Sequence, residues 1–287
     1  MLLTPEKNYS AEILKVFNQA WNDMVVVTKR DPKRLLNLRC SQLPFCPNEF
    51  FVEVSRSPNY SHLDMGGLYY TSVGTTVHEV MQTALPQFTK QIIGNWICKE
   101  CGVVEHFQSF KYCCGFPMHY QEIDINYRGI QGHVDCLWKV SKNKYYIVDF
   151  KTCSIQNSAS KKKDPGAAYK EQLFAYAWLL KKQYGLEIIG IMNLFLPRDN
   201  PKNAVSWAQP ISKQNLKETF QRLKLYKQAH RTALNIKNKK DIVNMWDTFG
   251  RCSNTNCKVC TSHDPKQLLK LAVQSAKTLP LIEAINA

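Results

Sequence analysis

The most constraining stretch of the sequence is GHVDCLWKVSKNKYYIVDFKT, residues 132–152. Its two apolar runs are typical of β-strands, and the Lys-Asn-Lys between them is typical of a turn. Asp149 and Lys151 are two residues apart, so they share one face of their strand while Phe150 points to the other. Asp135, on the neighbouring strand, can reach the same face. Carboxylates in a buried strand need a physical reason, because a buried charge is costly without a partner.

A divalent cation would supply that reason. Two carboxylates about 4 to 6 Å apart repel each other unless a cation lies between them, and oxygen ligands suit Mg²⁺ or Mn²⁺. A lysine beside such an ion can orient a water molecule or stabilise the charge that develops on a phosphate. The alternative is a surface hairpin with an ordinary ion pair. The apolar run YYIV before Asp149 is typical of a buried strand and favours the metal site.

The charge of the chain favours a polyanionic partner. Its 287 residues include 38 Lys and Arg against 23 Asp and Glu, a net charge of +15. Because basic surfaces bind phosphates and release counterions, nucleic acid is the expected partner; solubility or attraction to an anionic membrane is the alternative. The sequence has no apolar run long enough for a transmembrane helix and no signal-peptide pattern. We therefore expect no membrane association and a cytoplasmic location, and a phage or viral origin is one hypothesis.

The pattern of helices and strands predicts an α/β fold. We expect helices at residues 10–25 (with Ser10 as N-cap), 74–90, 167–184 and 211–235. We expect three consecutive strands over residues 121–151, a buried strand at residues 186–197, and a polar loop at residues 155–165. The expected division is an N-terminal helical region (1–95), a cysteine-bearing insertion (96–120), an α/β core (121–200) and a C-terminal helical region (201–287).

Four short motifs follow one another along the chain. They are Gly74-Thr75-Thr76-Val77-His78, Gly132-His133-Val134-Asp135, Asp149-Phe150-Lys151 and Gln172-Leu173-Phe174-Ala175-Tyr176. Their order and spacing resemble the RecB-type branch of the PD-(D/E)xK nucleases. Each motif is weak alone, but four in the right order are specific, and the resemblance spans about residues 74–176. It implies a mixed sheet flanked by helices, with residues 121–200 as the nuclease core.

The resemblance also implies roles for these residues. His78, Asp135, Asp149 and the main-chain carbonyl of Phe150 would bind Mg²⁺ or Mn²⁺. Lys151 would activate the attacking water. Gln172 and Tyr176, one helical turn apart, would contact the DNA backbone and support the site. The alternatives are that His78 and Tyr176 are ordinary core residues.

Three further acidic residues lie near the motifs. Glu79 points about 100° away from His78 around a helix and is left out of the site. We expect Glu122 and Asp124 at exposed strand positions, with a role in binding a second metal ion as the alternative.

Eleven cysteines without a secretory signal favour metal binding over disulfides. Cys252, Cys257 and Cys260 need a fourth ligand, and Cys46 is followed by Pro47 and aromatic residues. This arrangement resembles the iron–sulfur RecB-like nucleases, including the CRISPR-associated exonucleases and AddB, and implies a [4Fe–4S] cluster. The spacing of four residues and then two departs from the family pattern, so Zn²⁺ is the alternative metal. Cys40 and His263 are the rival ligands.

A second cysteine group lies in the insertion. Cys98 and Cys101 are followed by a glycine, as in half of a zinc knuckle, and Cys113 and Cys114 come about twelve residues later. The pattern resembles a zinc ribbon, but two adjacent cysteines can both bind one ion only if the chain bends sharply. His119 is the rival fourth ligand. Two other cysteines, Cys136 and Cys153, are expected to be small core residues.

The resemblance to the iron–sulfur members implies an exonuclease acting on single-stranded DNA or DNA ends in recombination, replication or repair. A helicase, a recombinase or a single-strand-binding protein is a possible partner. The alternatives are a structure-specific endonuclease and a non-catalytic nucleic-acid-binding module. Phosphate contacts are expected from Lys161, Lys162, Lys163 and Lys170, and from the basic helix that carries Lys217, Arg222, Lys224 and Lys227.

Overall fold

The computed structural model describes residues 15, 16, 19, 25–29, 37–43, 46, 47, 60–235, 257 and 260. Most of the helix expected at residues 10–25 lies outside this part of the chain, as do Cys252 and His263. Within the described part, no helix is both long and apolar enough to cross a bilayer.

A seven-stranded mixed sheet forms the centre of the described fold. Its strands run in the order β14-β13-β12-β11-β4-β5, and β8 also pairs with β4. They are β4 (Ile92–Ile97), β5 (Val104–Gln108), β8 (His119–Gln121), β11 (Cys136–Ser141), β12 (Lys144–Cys153), β13 (Glu187–Pro197) and β14 (Val205–Pro210). Among the described strands of this sheet, only β12 and β13 pair in parallel, and this pairing sets Asp149 opposite Asn193.

Smaller sheets complete the strand structure. β1 (Val25–Lys29) pairs with β3 (Tyr60–Asp64), and β6 (Tyr112–Cys113) pairs with β7 (Phe116–Pro117). A three-stranded sheet contains β2 (Leu38–Arg39), β9 (Ile123–Tyr127) and β10 (Ile130–Val134).

Helices cover both faces of the central sheet. They are α1 (Met65–Phe88), α2 (Ile155–Lys163), α3 (Ala167–Tyr184) and α4 (Lys213–Leu234). On one face, Ile147 of β12 belongs to the same core cluster as the buried Leu173 and Leu180 of α3. On the other face, Phe150 packs with Val77 and Met81 of α1. The alternation along β12 therefore turns Asp149 and Lys151 to the side opposite Phe150, as the sequence predicts.

The structure corrects two expectations around the motifs. Residues 121–151 form not three strands but β9, β10, β11 and most of β12, because the chain leaves the small sheet after Val134 and enters the central sheet at Cys136. Asp135 lies at this crossing rather than within a strand. Residues 155–163 are helical and not a loop. This segment contains no Gly or Pro, and Lys161, Lys162 and Lys163 occupy its last turn, where cations favour a helix.

The other predicted helices are present with altered bounds. α1 begins at Met65 rather than Gly74 and continues through Pro86 to Phe88. α3 ends at Tyr184 and is followed by Gly185, whose φ of 70° is the left-handed conformation expected after a helix. α4 begins after Ser212, whose hydroxyl accepts a hydrogen bond from the Asn215 main-chain N–H. Strands β4, β5 and β8 join the central sheet, so the cysteine-bearing insertion is built on the same sheet as the predicted core.

Gly132 of β10 permits the close approach of β10 and α3. A Cβ atom at this position would collide with Cε1 of the Tyr176 ring and lie 3.2 Å from Sγ of Cys40. By contrast, a Cβ at Gly74 in α1 would meet nothing within 4 Å.

We therefore expect Gly132→Ala to lower the free energy of unfolding by about 1 to 3 kcal/mol through overpacking. Gly74→Ala is the matched control and should raise it by roughly 0.5 to 1 kcal/mol, because glycine is unfavourable within a helix. Urea denaturation followed by circular dichroism measures both. A Gly132→Ala protein as stable as the wild type would contradict this account of the β10–α3 contact.

Candidate active site and metal centres

Asp149 of β12 is only 2% exposed, and two donors hold one of its oxygens. The Nζ of Lys151 lies 2.7 Å from Oδ2 of Asp149. The Nδ2 of Asn193, on β13, donates a hydrogen bond of 2.8 Å to the same oxygen. Both donors therefore act on Oδ2, and this fixes the orientation of the carboxylate.

Burial raises the pKa of Asp149 to about 6, although the charge of Lys151 opposes the shift. Burial lowers the pKa of Lys151, but the attraction of Asp149 and Asp135 outweighs it, so the pKa of Lys151 is raised overall. Lys151 is therefore a cation at neutral pH in this arrangement. As an ammonium group it can orient a water molecule or stabilise negative charge.

Asp135 connects this pair to helix α1. Its Oδ2 accepts a hydrogen bond of 2.6 Å from the Phe150 main-chain N–H, and its Oδ1 lies 3.4 Å from Nδ1 of His78. The hydroxyl of Tyr120 donates to the main-chain carbonyl of Asp135. The hydrogen bond to Asp135 raises the pKa of His78, against the opposing effect of burial. The structure thus brings His78 to the motif carboxylates.

Glu122 joins His78 and Asp135 in a group suited to metal binding. One ligand atom from each of the three residues lies within 4.8 Å of the others. The expectation that Glu122 is an exposed strand position is wrong: it is half-buried in the link between β8 and β9, and Gln82 of α1 donates a hydrogen bond of 2.9 Å to its Oε1. Asp124 is exposed as expected and lies 2.6 Å from Nδ1 of His133.

Gln172 and Tyr176 approach from α3. The Nε2 of Gln172 donates a hydrogen bond of 2.8 Å to the Tyr176 hydroxyl. Tyr176 is 4% exposed, and burial raises the pKa of its hydroxyl well above the usual value. This burial gives Tyr176 little surface for direct contact with DNA and favours a supporting role.

All four cysteines of the insertion lie together. The Sγ atoms of Cys98, Cys101, Cys113 and Cys114 are all within 4.8 Å of one another. The Cys101 and Cys113 sulfurs are 3.6 Å apart, and those of Cys113 and Cys114 are 3.8 Å apart. Tetrahedral Zn²⁺ with Zn–S bonds of about 2.3 Å places its sulfurs about 3.8 Å apart, so the group fits this ion.

The sharp bend that two adjacent cysteine ligands require is present. Cys114 has a φ of 53° and Gly115 a φ of 81°, both in the left-handed region. Cys113 and Cys114 therefore both turn to the group, while the rival ligand His119 is exposed on β8 and lies outside it.

The second group joins distant parts of the chain. The sulfurs of Cys46, Cys257 and Cys260 are buried and lie within 4.8 Å of one another, and the Cys46 and Cys260 sulfurs are 3.4 Å apart. Cys40 is not part of this group; it lies near Gly132 and Tyr176, and burial raises the pKa of its thiol. Cys136 and Cys153 are buried as expected.

Several of the predicted DNA-binding cations also contact other groups of the protein. Lys161 donates to the carbonyl of Pro165, and Lys170 lies 3.0 Å from Asp164. On α4, Arg222 pairs with Glu171 and Lys227 donates to the carbonyl of Arg128. Four others are exposed: Lys162, Lys163, Lys217 and Lys224.

The family of the chain follows from a comparison with known families. Residues 102–264 match the model of the PD-(D/E)XK nuclease superfamily. Since the match covers more than half of the 287 residues, the chain belongs to this superfamily. Membership supports hydrolytic nuclease activity on a nucleic acid. The matched residues include Asp135, Asp149 and Lys151 but begin after His78.

Solved structures show more distant likeness. The chain is similar to the crystal structure of SSO0001, with 13% identity, a TM-score of 0.31, and coverage of 68% of this chain and 84% of that chain. It is also similar to LHK-Exo in complex with dAMP, with 9% identity, a TM-score of 0.42, and coverage of 76% and 95%. Neither likeness is close enough to support an argument. No curated protein matches.

The sequence motifs miss two polar neighbours of the site. Asn193 is completely buried, and its Oδ1 has no hydrogen-bond partner among the described residues. Its signal in the sequence is an amide within the apolar run IIGIMNLFLP, where a buried polar group needs a reason. Glu122 carries a weaker signal, because its partner Gln82 is one helical turn from His78.

We expect Asn193→Ala to lower nuclease activity and affinity for Mn²⁺ by roughly 10- to 100-fold, the usual effect of losing a residue that orients a ligand. Ile191→Val, two residues away in the same strand, is the control and should cost only about 0.5 to 1.5 kcal/mol of stability. Calorimetric titration with Mn²⁺ and initial cleavage rates measure the effect. Equal Mn²⁺ affinity in both variants would show that Asn193 does not position Asp149.

Proposed function

We propose that this protein is a Mg²⁺- or Mn²⁺-dependent deoxyribonuclease that degrades single-stranded DNA or DNA ends as an exonuclease. The observation that carries the proposal is the cluster formed by Asp135, Asp149 and Lys151 with His78 and Glu122. Its carboxylates, imidazole and ammonium group converge from α1, the Asp135 crossing and β12. An ion pair between Asp149 and Lys151 alone would not require a second carboxylate, Asp135, near it.

The residues fit a hard divalent cation. The family resemblance implies that His78, Asp135 and Asp149 would hold it, with the main-chain carbonyl of Phe150. The described residues of this site whose ligand atoms lie within 4.8 Å of one another are instead His78, Glu122 and Asp135, and Asp149 is outside this group. Such an ion supplies Lewis acidity, which polarises a phosphate and lowers the pKa of a water molecule.

The other side chains of the site have separate roles in the reaction. The Lys151 ammonium stabilises the negative charge on the phosphate as the water oxygen bonds to phosphorus and the ester P–O bond breaks. Asn193 holds the Asp149 carboxylate in place. Gln172 and Tyr176 brace the site from α3. One proton of the water ends on the oxygen of the leaving group, so the products are a phosphomonoester and a free hydroxyl group.

We expect Asp149→Ala and Lys151→Ala each to reduce cleavage of end-labelled single-stranded DNA by at least about 100-fold, since each removes a charge on which the reaction depends. Asp124→Ala removes an exposed carboxylate outside the site and is the matched control. Initial rates with Mg²⁺ or Mn²⁺ are measured on anaerobically purified protein. If the wild-type protein binds DNA but cleaves neither single strands, duplex nor RNA, the proposal fails and a binding module replaces it.

A circular substrate tests the exonuclease assignment. An exonuclease needs an end, so it should degrade linear single strands and leave the circular form of the same sequence intact. Cleavage of the circle at a comparable rate would instead support the structure-specific endonuclease. A helicase, a recombinase or a single-strand-binding protein is the proposed partner in recombination, replication or repair.

We also propose that both cysteine groups bind structural metals. The insertion group would hold one Zn²⁺. Cys46, Cys257 and Cys260, with Cys252 from outside the described residues, would hold the [4Fe–4S] cluster that the family resemblance implies. The 3.4 Å between the Cys46 and Cys260 sulfurs means that a four-iron cluster would require these sulfurs to move apart, whereas a single Zn²⁺ would require smaller changes.

Elemental analysis of anaerobically purified protein separates these centres. We expect about one zinc and four irons per chain. Cys101→Ser should remove only the zinc and Cys46→Ser only the iron, each with a lower unfolding temperature, because metal binding is coupled to folding. Cys153→Ser is the control. A second zinc in place of iron would overturn the iron–sulfur assignment, and no metal in either group would overturn both.

A further inference from the structure

A groove between α3 and α4 lies apart from the candidate active site and from both cysteine groups. It encloses about 360 Å³. Its lining consists of aromatic, aliphatic and lysine side chains and includes no acidic residue: Trp178, Lys181, Lys182, Lys213, Leu216, Lys217 and Phe220.

The floor of the groove is aromatic. The rings of Trp178 and Phe220 stack with centroids 5.3 Å apart and an interplanar angle of 24°. Phe220 is nevertheless 47% exposed, and the Lys182 ammonium lies 5.8 Å from the centroid of the Trp178 ring. The exposed part of Phe220 is a surface on which another flat ring can stack.

The rim of the groove carries several lysine side chains whose positive charges have no acidic partner among the described residues. Lys181, Lys182, Lys213 and Lys217 are all exposed, and within the described residues no ion pair involves any of them. Lys213 and Lys217 are one helical turn apart, a like-charge spacing that destabilises a helix. The neighbouring surface between the same two helices differs, because there Arg222 pairs with Glu171 and Lys170 with Asp164.

The groove faces away from the catalytic residues. Tyr176 and Trp178 are two positions apart on α3, so their side chains project about 200° from each other around the helix. Tyr176 packs inward against Gly132, and Trp178 therefore lies on the outer side. A ligand in the groove would not compete with a phosphodiester at Asp149.

We propose that this groove binds a nucleic acid strand, with phosphates on the four lysines and a base stacked on Phe220. Lysines that follow a backbone beside aromatic rings are the usual components of sequence-independent binding to single strands. An acidic peptide would satisfy the lysines but would leave the stacking surface without a specific partner. The inference rests on the proposed nuclease function: the groove would hold a distant part of a substrate that is cut at Asp149, and so raise its effective concentration there.

Three variants test the groove. Lys213→Gln with Lys217→Gln removes two phosphate contacts, and Phe220→Ala removes the stacking surface. Lys139→Gln with Lys142→Gln is the control of equal charge, since both residues are exposed and outside the groove. Binding of a fluorescent 40-nucleotide poly-dT is followed by anisotropy at several salt concentrations, with Ca²⁺ in place of Mg²⁺ to suppress cleavage. Cleavage of the 40-mer and of a 4-mer is measured separately with Mn²⁺.

We expect the lysine pair to weaken binding of the 40-mer roughly tenfold and to reduce the slope of log K against log salt by about 1.4, at about 0.7 for each lost phosphate contact. Phe220→Ala should weaken binding about tenfold without changing the slope. In the groove variants kcat/KM should fall for the 40-mer and stay unchanged for the 4-mer, because a 4-mer cannot reach the groove and the active site at the same time.

Affinities and slopes equal to those of the control pair would overturn the proposal. A second outcome would also overturn it: the groove variants no longer bind a labelled oligoglutamate but bind DNA as the wild-type protein does. The groove would then be a protein-docking surface. The two proposals fail separately. If the wild-type protein cleaves no substrate but the groove variants bind DNA more weakly, the groove proposal stands and the nuclease proposal fails. If the wild-type protein cleaves DNA and the groove variants cleave it equally well, the nuclease proposal stands and the groove proposal fails.

Discussion

The burial of the Asp149 carboxylate sets requirements that the surrounding fold must meet. A carboxylate removed from water is tolerated only with compensating donors or charges, and those come from two places: Lys151 in the same strand and Asn193 in the parallel neighbour. Asn193 can donate only because the register of β12 and β13 sets it opposite Asp149. A slip by one residue would turn the amide to the other face of the sheet and bring Met192 or Leu194 beside the carboxylate.

Asp135 adds a second requirement. It occupies the point where the chain leaves one sheet and enters another, so neither ladder fixes its side chain. Its orientation depends instead on the Phe150 main-chain N–H and on His78 of α1. Packing of Val77 and Met81 against Phe150 holds α1 in position. The site thus depends on helix packing on one face of the sheet and on strand register within it.

The sequence predicts much of this site because its motifs reflect local geometry. The shared face of Asp149 and Lys151 follows from the period of a strand, and the helical turn between Gln172 and Tyr176 follows from the period of a helix. The α/β class and the bounds of α3 follow in the same way. The helix at residues 155–163 was not predicted, because its polar composition resembles that of a loop and only its lack of Gly and Pro argued otherwise.

Other features could not be predicted because they depend on contacts between distant segments. Glu122 becomes part of the site only when the β8–β9 link meets Gln82 of α1. Asn193 gains its role only from the register of two strands separated by two helices. Local periodicity contains no information on these contacts. The cysteine group of the insertion was partly predictable. Two adjacent cysteines can bind one ion only if the chain bends sharply, and this bend is present at Cys114 and Gly115.

The contact between Cys46 and Cys260 has a consequence for the unfolded chain rather than for the folded one. The two residues are 214 positions apart. A metal that joins them would close a loop of most of the chain and remove about 5 kcal/mol of conformational freedom from the unfolded state, by the usual estimate for a cross-link of this length. Such a centre would stabilise the protein by an amount that no inspection of its native packing reveals.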